Sequence, residues 1–296
     1  MDGTYDEFAM FAENAREVGL TLDTDPVVAR VHVDVADGRK VSGLLWGDAP
    51  PELVLLHGGA QNAHTWDTVA LALDRPLLAL DLPGHGHSDW KQDHDYWPAT
   101  VADDVAVAVA ELAPEASAVV GMSFGGLTAI CLAAHHRRLV RRLGLVDVTP
   151  GVDHAKAEPI VEFISGPQSF QSFDEILQRT VEFNPTRSVA SLRRGVLHNA
   201  RPAEDGSWMW RWDPGRSWRE EGGPVFGDLW DRLESVAAPI VLYRGRRSSS
   251  VVGDDDVAEL GRRRPDAVVI DVVEAGHSIQ GDQPLRLAEL LGELLG

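Results

Sequence analysis

The stretch Gly121-Met122-Ser123-Phe124-Gly125-Gly126, directly behind the apolar run Ala118-Val119-Val120, constrains this chain more than any other. A strand that turns into a helix around a single residue presses two backbones together. Glycines two before and two after the serine remove the Cβ atoms that would collide there. The pattern predicts a tight, strained strand-turn-helix with the Ser123 hydroxyl exposed at its apex.

The surroundings are of the same kind. Glu52-Leu53-Val54-Leu55-Leu56 reads as a buried strand running into His57-Gly58-Gly59-Ala60. Pro76-Leu77-Leu78-Ala79-Leu80 reads as another, running into Asp81-Leu82-Pro83-Gly84-His85-Gly86-His87-Ser88. Far downstream, Val268-Val269-Ile270-Asp271-Val272-Val273 leads into Glu274-Ala275-Gly276-His277-Ser278. With HGG, DxxGxGxS, GxSxG and a late AGH in that order, the chain resembles the α/β-hydrolase superfamily from about residue 30 to its end. The resemblance implies an α/β fold with a mostly parallel central sheet, helices on both faces and an inserted helical cap.

The element pattern agrees with that expectation. Ala29 to Val35 and Lys40 to Trp46 are β-rich and flank Asp37-Gly38, a strong hairpin signal. From Leu53 onward strands alternate with helical stretches at Thr100 to Leu112 and from Ser123 to about His136, followed by a strand at Arg142 to Asp147. No buried strand is evident again until Ala238 to Tyr243; a helix from Asp254 to Arg264 and a C-terminal helix from Pro284 to Leu295 close the chain. The expected division is a peripheral N-terminal helix in 1–26, a core in 27–150 and 237–296, and a mainly helical cap in 151–236. The cap holds Trp208, Trp210, Trp212, Trp218 and Trp230 among Arg211, Arg216 and Arg219. Alternation at 208, 210 and 212 suggests an extended piece with one aromatic face. These tryptophans are candidates to line an apolar pocket, and the arginines to stack on or pair with a substrate carboxylate.

A serine hydroxyl attacks an acyl carbon only when a neighbouring base takes its proton. The resemblance assigns Ser123 as nucleophile and His277 as base, in the family's order of nucleophile, acid, histidine. Many relatives carry the acid three residues beyond a glycine after the seventh strand, where this chain has Ser248. A variant of the fold places it at the end of the sixth strand, about two dozen residues after the nucleophile, and that position is Asp147. Asp254, Asp255 and Asp256 are rivals that also read as a helix N-cap and first turn. By resemblance, the backbone N–H groups of Gly59 and Phe124 form the oxyanion hole. His57 reads as a structural histidine of its turn. His85 and His87 lack an acidic partner at ligand spacing, so no metal and no cofactor is expected.

Ester or lactone hydrolysis of a small apolar or aromatic substrate through an acyl-enzyme is the leading expectation. Carbon-carbon bond hydrolases and cofactor-free ring-cleaving dioxygenases share the scaffold, as do hydrolase-like receptors of small molecules. The elbow serine excludes the aspartate-dependent dehalogenases and epoxide hydrolases. A formal charge of −19 over 296 residues argues against nucleic acid and anionic membranes as partners. An acidic start, the absence of a long apolar run and a single cysteine, Cys131, which reads as a buried filler, lead to an expectation of the cytoplasm.

Overall fold

Leu53, Val54, Leu55 and Leu56 are all fully buried, because their strand is covered on both faces rather than on one. The computed structural model describes residues 5–151, 154–215 and 227–296; Arg216, Trp218 and Arg219 lie outside them. The strands are β1 (Val28–Asp34), β2 (Lys40–Trp46), β3 (Leu53–Leu56), β4 (Leu77–Asp81), β5 (Ala118–Met122), β6 (Leu143–Val146), β7 (Ser169–Phe170), β8 (Ala200–Pro202), β9 (Trp208–Trp210), β10 (Ile240–Gly245) and β11 (Val268–Val272). The helices are α1 (Phe11–Glu17), α2 (Asp67–Leu73), α3 (Pro98–Leu112), α4 (Phe124–His135), α5 (His154–Ile164), α6 (Phe173–Phe183), α7 (Val189–Asn199), α8 (Gly227–Ser235), α9 (Asp254–Arg263), α10 (Ile279–Asp282) and α11 (Pro284–Leu295).

Eight strands form one sheet in the order β1-β2-β4-β3-β5-β6-β10-β11. The β1–β2 hairpin is antiparallel, turning where Asp37 and Gly38 have φ of 63° and 71°. β2 runs antiparallel to β4, and every later pairing in this sheet is parallel. The strand pleat splits the core in two. Val54, Leu56, Leu78, Leu80 and Val119 face a cluster shared with α3, α4 and α8. Leu53, Leu55, Leu77, Ala79 and Val120 face one shared with α1, α2 and α11. Each fully buried leucine contributes about 1.5–3 kcal/mol relative to exposure, so both layers are needed to hold the sheet. Chain order reverses between β3 and β5, and a crevice at the carboxyl ends of such strands is where α/β sheets bind ligands.

Between β6 and β10 the segment expected to be mainly helical carries α5, α6 and α7 together with a small sheet ordered β7-β9-β8. Strands of two or three residues are too short to leave a period in the sequence, which is why β7 and β8 were not foreseen. This segment has its own cluster of Phe170, Phe173, Ile176, Val196, Ala200, Trp210 and Trp212, which also takes in Ala60. α8 belongs elsewhere: Leu229 and Leu233 are fully buried in the main cluster with α4, and Trp230 packs on that same cluster.

The N-terminal helix expected within 1–26 runs from Phe11 to Glu17. Asp6 Oδ1 accepts the Phe8 N–H at 3.0 Å in a turn, while Glu7 is drawn inward to pair with Arg30 and His64. No helix among the described residues is long and apolar enough to cross a membrane.

Candidate active site

Ser123 caps α4 with φ 52° and ψ −121°, a positive-φ conformation that non-glycine residues rarely adopt. The neighbouring glycines make it possible: a Cβ on Gly121 would overlap the Gly125 carbonyl, and one on Gly125 would overlap the carbonyls of Leu56 and His57. The hydroxyl therefore stands at the end of β5, half-buried, against the turn that follows β3. A Cβ on Gly58 would lie 3.3 Å from Ser123 Cβ, so the His57-Gly58-Gly59 turn and the serine meet face to face.

His57 is fully buried and builds that turn. Its Nε2 accepts the Leu82 N–H at 2.9 Å, so Nδ1 carries the proton and donates to the Gly58 carbonyl at 2.7 Å. Both ring nitrogens are thereby occupied, in keeping with the structural role expected of it. Ala60 next door is held at φ 59°, with its carbonyl accepting from Asn199 Nδ2 at 2.6 Å. Asn199 Oδ1 accepts from Asn62 Nδ2 at 3.1 Å, tying the end of α7 to the loop that carries Gly59. Among the described residues the Gly59 N–H has no hydrogen-bond partner.

The DxxGxGxS loop is organised around the buried carboxylate of Asp81. It accepts the backbone N–H groups of Ala63 at 2.7 Å and His87 at 3.0 Å, and pairs with Arg30 at 2.7 Å. Gly86 stands where any Cβ would overlap that carboxyl group. The His85 ring packs against His57 and Phe124, whereas the His87 imidazole is pushed down to about 4 by burial and the nearby Arg30 charge.

Asp147 follows β6 with φ 46° and is completely buried. Its Oδ1 accepts the Gly245 N–H at 2.9 Å and the Ser250 hydroxyl at 2.6 Å. Its Oδ2 accepts the Val251 N–H at 3.0 Å and His277 Nδ1 at 3.0 Å. Four donors on one carboxylate offset the cost of burying its charge. The His277 loop comes from β11 back across the end of β10, and Gly245 permits it, since a Cβ there would overlap the Gly276 carbonyl. An imidazole whose Nδ1–H faces a carboxylate has Nε2 free to take a proton. Ser123, Asp147 and His277 thus all stand at carboxyl ends of parallel strands.

Asp254, Asp255 and Asp256 occupy the first turn of α9. Asp254 pairs with Arg244 at 2.7 Å, and Asp256 accepts the Gly253 N–H at 2.7 Å and the Thr149 hydroxyl at 3.2 Å. Trp210 and Trp212 stack at 4.3 Å between ring centroids and are 3% and 2% exposed, so little of either ring is open to a ligand. Trp208 is half-buried on the Phe173 ring, and Arg211 lies over Tyr5, at 6.0 Å. Sequence reasoning missed Ser250 and the Val251 N–H; their one sequence signal is the run Ser248-Ser249-Ser250 after Gly245, where a carboxylate was sought instead.

Known proteins resemble this chain across its length. The model of a family described as "Alpha/beta hydrolase family" matches residues 53–290. Esterase Rv0045c of Mycobacterium tuberculosis is 46% identical over 98% of this chain and 96% of its own. A solved structure of that esterase, from work on its transition metal inhibition and structural refinement, aligns with a TM-score of 0.88 at 45% identity, covering 99% of each chain. The pimeloyl-[acyl-carrier protein] methyl ester esterase of Vibrio atlanticus is 34% identical over 77% of this chain and 88% of its own.

Proposed function

The chain belongs to the alpha/beta hydrolase family, and on that premise we propose that it is a serine ester hydrolase working through an acyl-enzyme on Ser123. The observation that carries this reading is the Asp147–His277 hydrogen bond beside a strained elbow serine. In the proposed cycle His277 Nε2 takes the Ser123 proton as Oγ attacks the ester carbonyl, and Asp147 stabilises the imidazolium and fixes its tautomer. The Gly59 and Phe124 N–H groups receive the developing oxyanion. The protonated His277 then gives its proton to the leaving alcohol, and in the second half it activates water against the acyl-enzyme.

Small carboxylic esters and lactones are the substrate class. The part of 151–236 that builds its own cluster serves as a cap, joined to the oxyanion loop through Ala60 and Asn199. Trp208 is the most exposed of the three candidate pocket tryptophans and the best placed of them to meet a ligand. The cytoplasm suits a chain whose one cysteine, Cys131, is buried, with its thiol pushed up to about 12 by that burial.

Turnover of short p-nitrophenyl esters by wild type and Ser123→Ala, with mass spectrometry for an acyl adduct on Ser123, tests the proposal. Multiple turnover that disappears in the variant supports it. Full activity in Ser123→Ala, or no hydrolysis of any ester or lactone by wild type, would overturn it.

A further inference from the structure

Asn199, the last residue of α7, reaches from the cap to the turn that carries Gly59. Its amide is held at both ends. Nδ2 donates to the Ala60 carbonyl at 2.6 Å, and Oδ1 accepts from Asn62 Nδ2 at 3.1 Å. Backbone groups of fixed role decide which way the two amides point. The His64 N–H can only donate, so the Asn62 atom facing it at 3.0 Å is Oδ1, and Asn62 Nδ2 turns to Asn199. At the other end the Ala60 carbonyl can only accept. The main chain of Asn199 is fixed as well, its carbonyl accepting the Arg211 N–H at 2.8 Å just beyond β9.

The turn needs such a hold. Ala60 has φ 59°, a conformation that a residue with a Cβ keeps only when its surroundings enforce it. The peptide unit that carries the Gly59 N–H is fixed on its near side, where the Gly58 carbonyl accepts from His57 Nδ1 at 2.7 Å and from the Gln61 N–H at 3.3 Å. On its far side it depends on Ala60. That residue packs in the apolar cluster of the cap, and Asn199 takes its carbonyl. Both of these holds come from the cap. The Gly59 N–H itself has no hydrogen-bond partner among the described residues, so it is open to an oxyanion.

On the serine ester hydrolase reading, on which this inference rests, we propose that Asn199 is a positioning residue for the oxyanion hole. It clamps Ala60 so that the neighbouring Gly59 N–H is aimed before the substrate arrives. Charge on the carbonyl oxygen develops only in the transition state, and a donor that serves it must already be in place. A plain tie between cap and core would ask for contact alone, which any side chain filling the space supplies. The clamp asks for an amide, which donates to Ala60 and accepts from Asn62 at once. Aspartate at 199 would set a carboxylate oxygen against the Ala60 carbonyl, and alanine would leave that carbonyl without its donor. The cap thereby belongs to the catalytic apparatus, because whatever shifts the end of α7 shifts the aim of Gly59.

The test is steady-state hydrolysis of p-nitrophenyl acetate and of its thiono analogue, with sulfur in place of the carbonyl oxygen, by wild type, Asn199→Ala, Asn199→Asp and Ser123→Ala. Sulfur accepts hydrogen bonds weakly, so the ratio of the two rates reads the oxyanion hole directly. In Asn199→Ala, kcat on the oxygen ester should fall by about 10–100-fold with KM changed less than about threefold, as for a small misplacement at a reacting centre. Asn199→Asp should fall at least as far. The preference for oxygen over sulfur should shrink about tenfold in both, whereas a protein merely loosened or partly inactive loses both rates together and keeps the ratio. Far-UV circular dichroism checks each fold, and Asn199→Ser, too short to reach the Ala60 carbonyl, replaces either variant that fails. Full kcat, or a lowered kcat with the ratio unchanged, overturns the clamp, while an acyl adduct on Ser123 leaves the serine reading standing. Activity retained in Ser123→Ala would overturn both.

Discussion

Asp147 and Asp67 are both buried beside an imidazole, and they are satisfied in opposite ways. Asp147 accepts four hydrogen bonds, two of them from backbone N–H groups, and both of its oxygens are engaged. Asp67 faces two histidines yet keeps one oxygen unpartnered. Backbone donors fixed by loop geometry hold Asp147 in one position, and that rigidity is what orienting an imidazole for proton transfer demands. The Asp67 pair is held by side chains alone, with one carboxylate oxygen unpartnered among the described residues. Burial beside a histidine therefore does not by itself fix how a carboxylate is satisfied; the number and kind of donors on it do.

The sharpest way to break the contrast is to remove the charge at each centre. Asp147→Asn is expected to lower kcat by about 10⁴, as for loss of a triad aspartate. That corresponds to about 5.5 kcal/mol of transition-state stabilisation. Steady-state kinetics on p-nitrophenyl esters would show it, and a loss under tenfold would move the acid elsewhere.

The second centre should report itself through stability and pH. Burial by itself would lower the His64 pKa, but the Asp67 carboxylate, by its charge and hydrogen bond, and a hydrogen bond to Glu7 raise it from 6.5 to about 9. A group raised on folding stabilises fully below its unfolded pKa, and that contribution is lost as pH climbs through the folded value. The protein should lose about 3 kcal/mol of unfolding free energy between pH 6 and pH 9.5 from this group, measured by urea denaturation. His64→Gln should flatten that slope, and an unchanged slope would show that the pair does not titrate as a unit.

Smaller effects sharpen the comparison. Ser250→Ala removes one of the four donors to Asp147, and a lost hydrogen bond to a charged group costs about 1.5–3 kcal/mol. A fall in kcat of about tenfold or somewhat more is expected, with KM little changed. Neutralising Asp254, Asp255 and Asp256 together should change kcat by less than about tenfold, because these groups cap α9 and meet Arg244, Gly253 and Thr149 rather than His277. A ranking in which this triple variant loses more rate than Asp147→Asn would reverse the assignment of the acid.

Much of the main sheet and the outline of the site were legible in the chain. Gly121, Gly125 and the serine between them encode a backbone collision avoided within five residues, and local sterics of that kind are written in local sequence. The alternating strands, the Asp37-Gly38 hairpin and the closing helices were readable for the same reason. The pieces without a local period were not: β7 and β8 are too short, and α8 is amphipathic like its neighbours but packs on α4 instead of with α5, α6 and α7.

By itself, then, the sequence determined the fold class and the elbow turn, because each depends on conformations that a few adjacent residues dictate. Only the tertiary structure decided which donors surround Asp147 and that His64, Asp67 and His198 share one interior. Ser250 lies 103 residues from Asp147 in the chain, and His198 lies on α7 while Asp67 opens α2. Contacts of that span arise from how helices and loops stack on the sheet, and no residue spacing along the chain records that stacking.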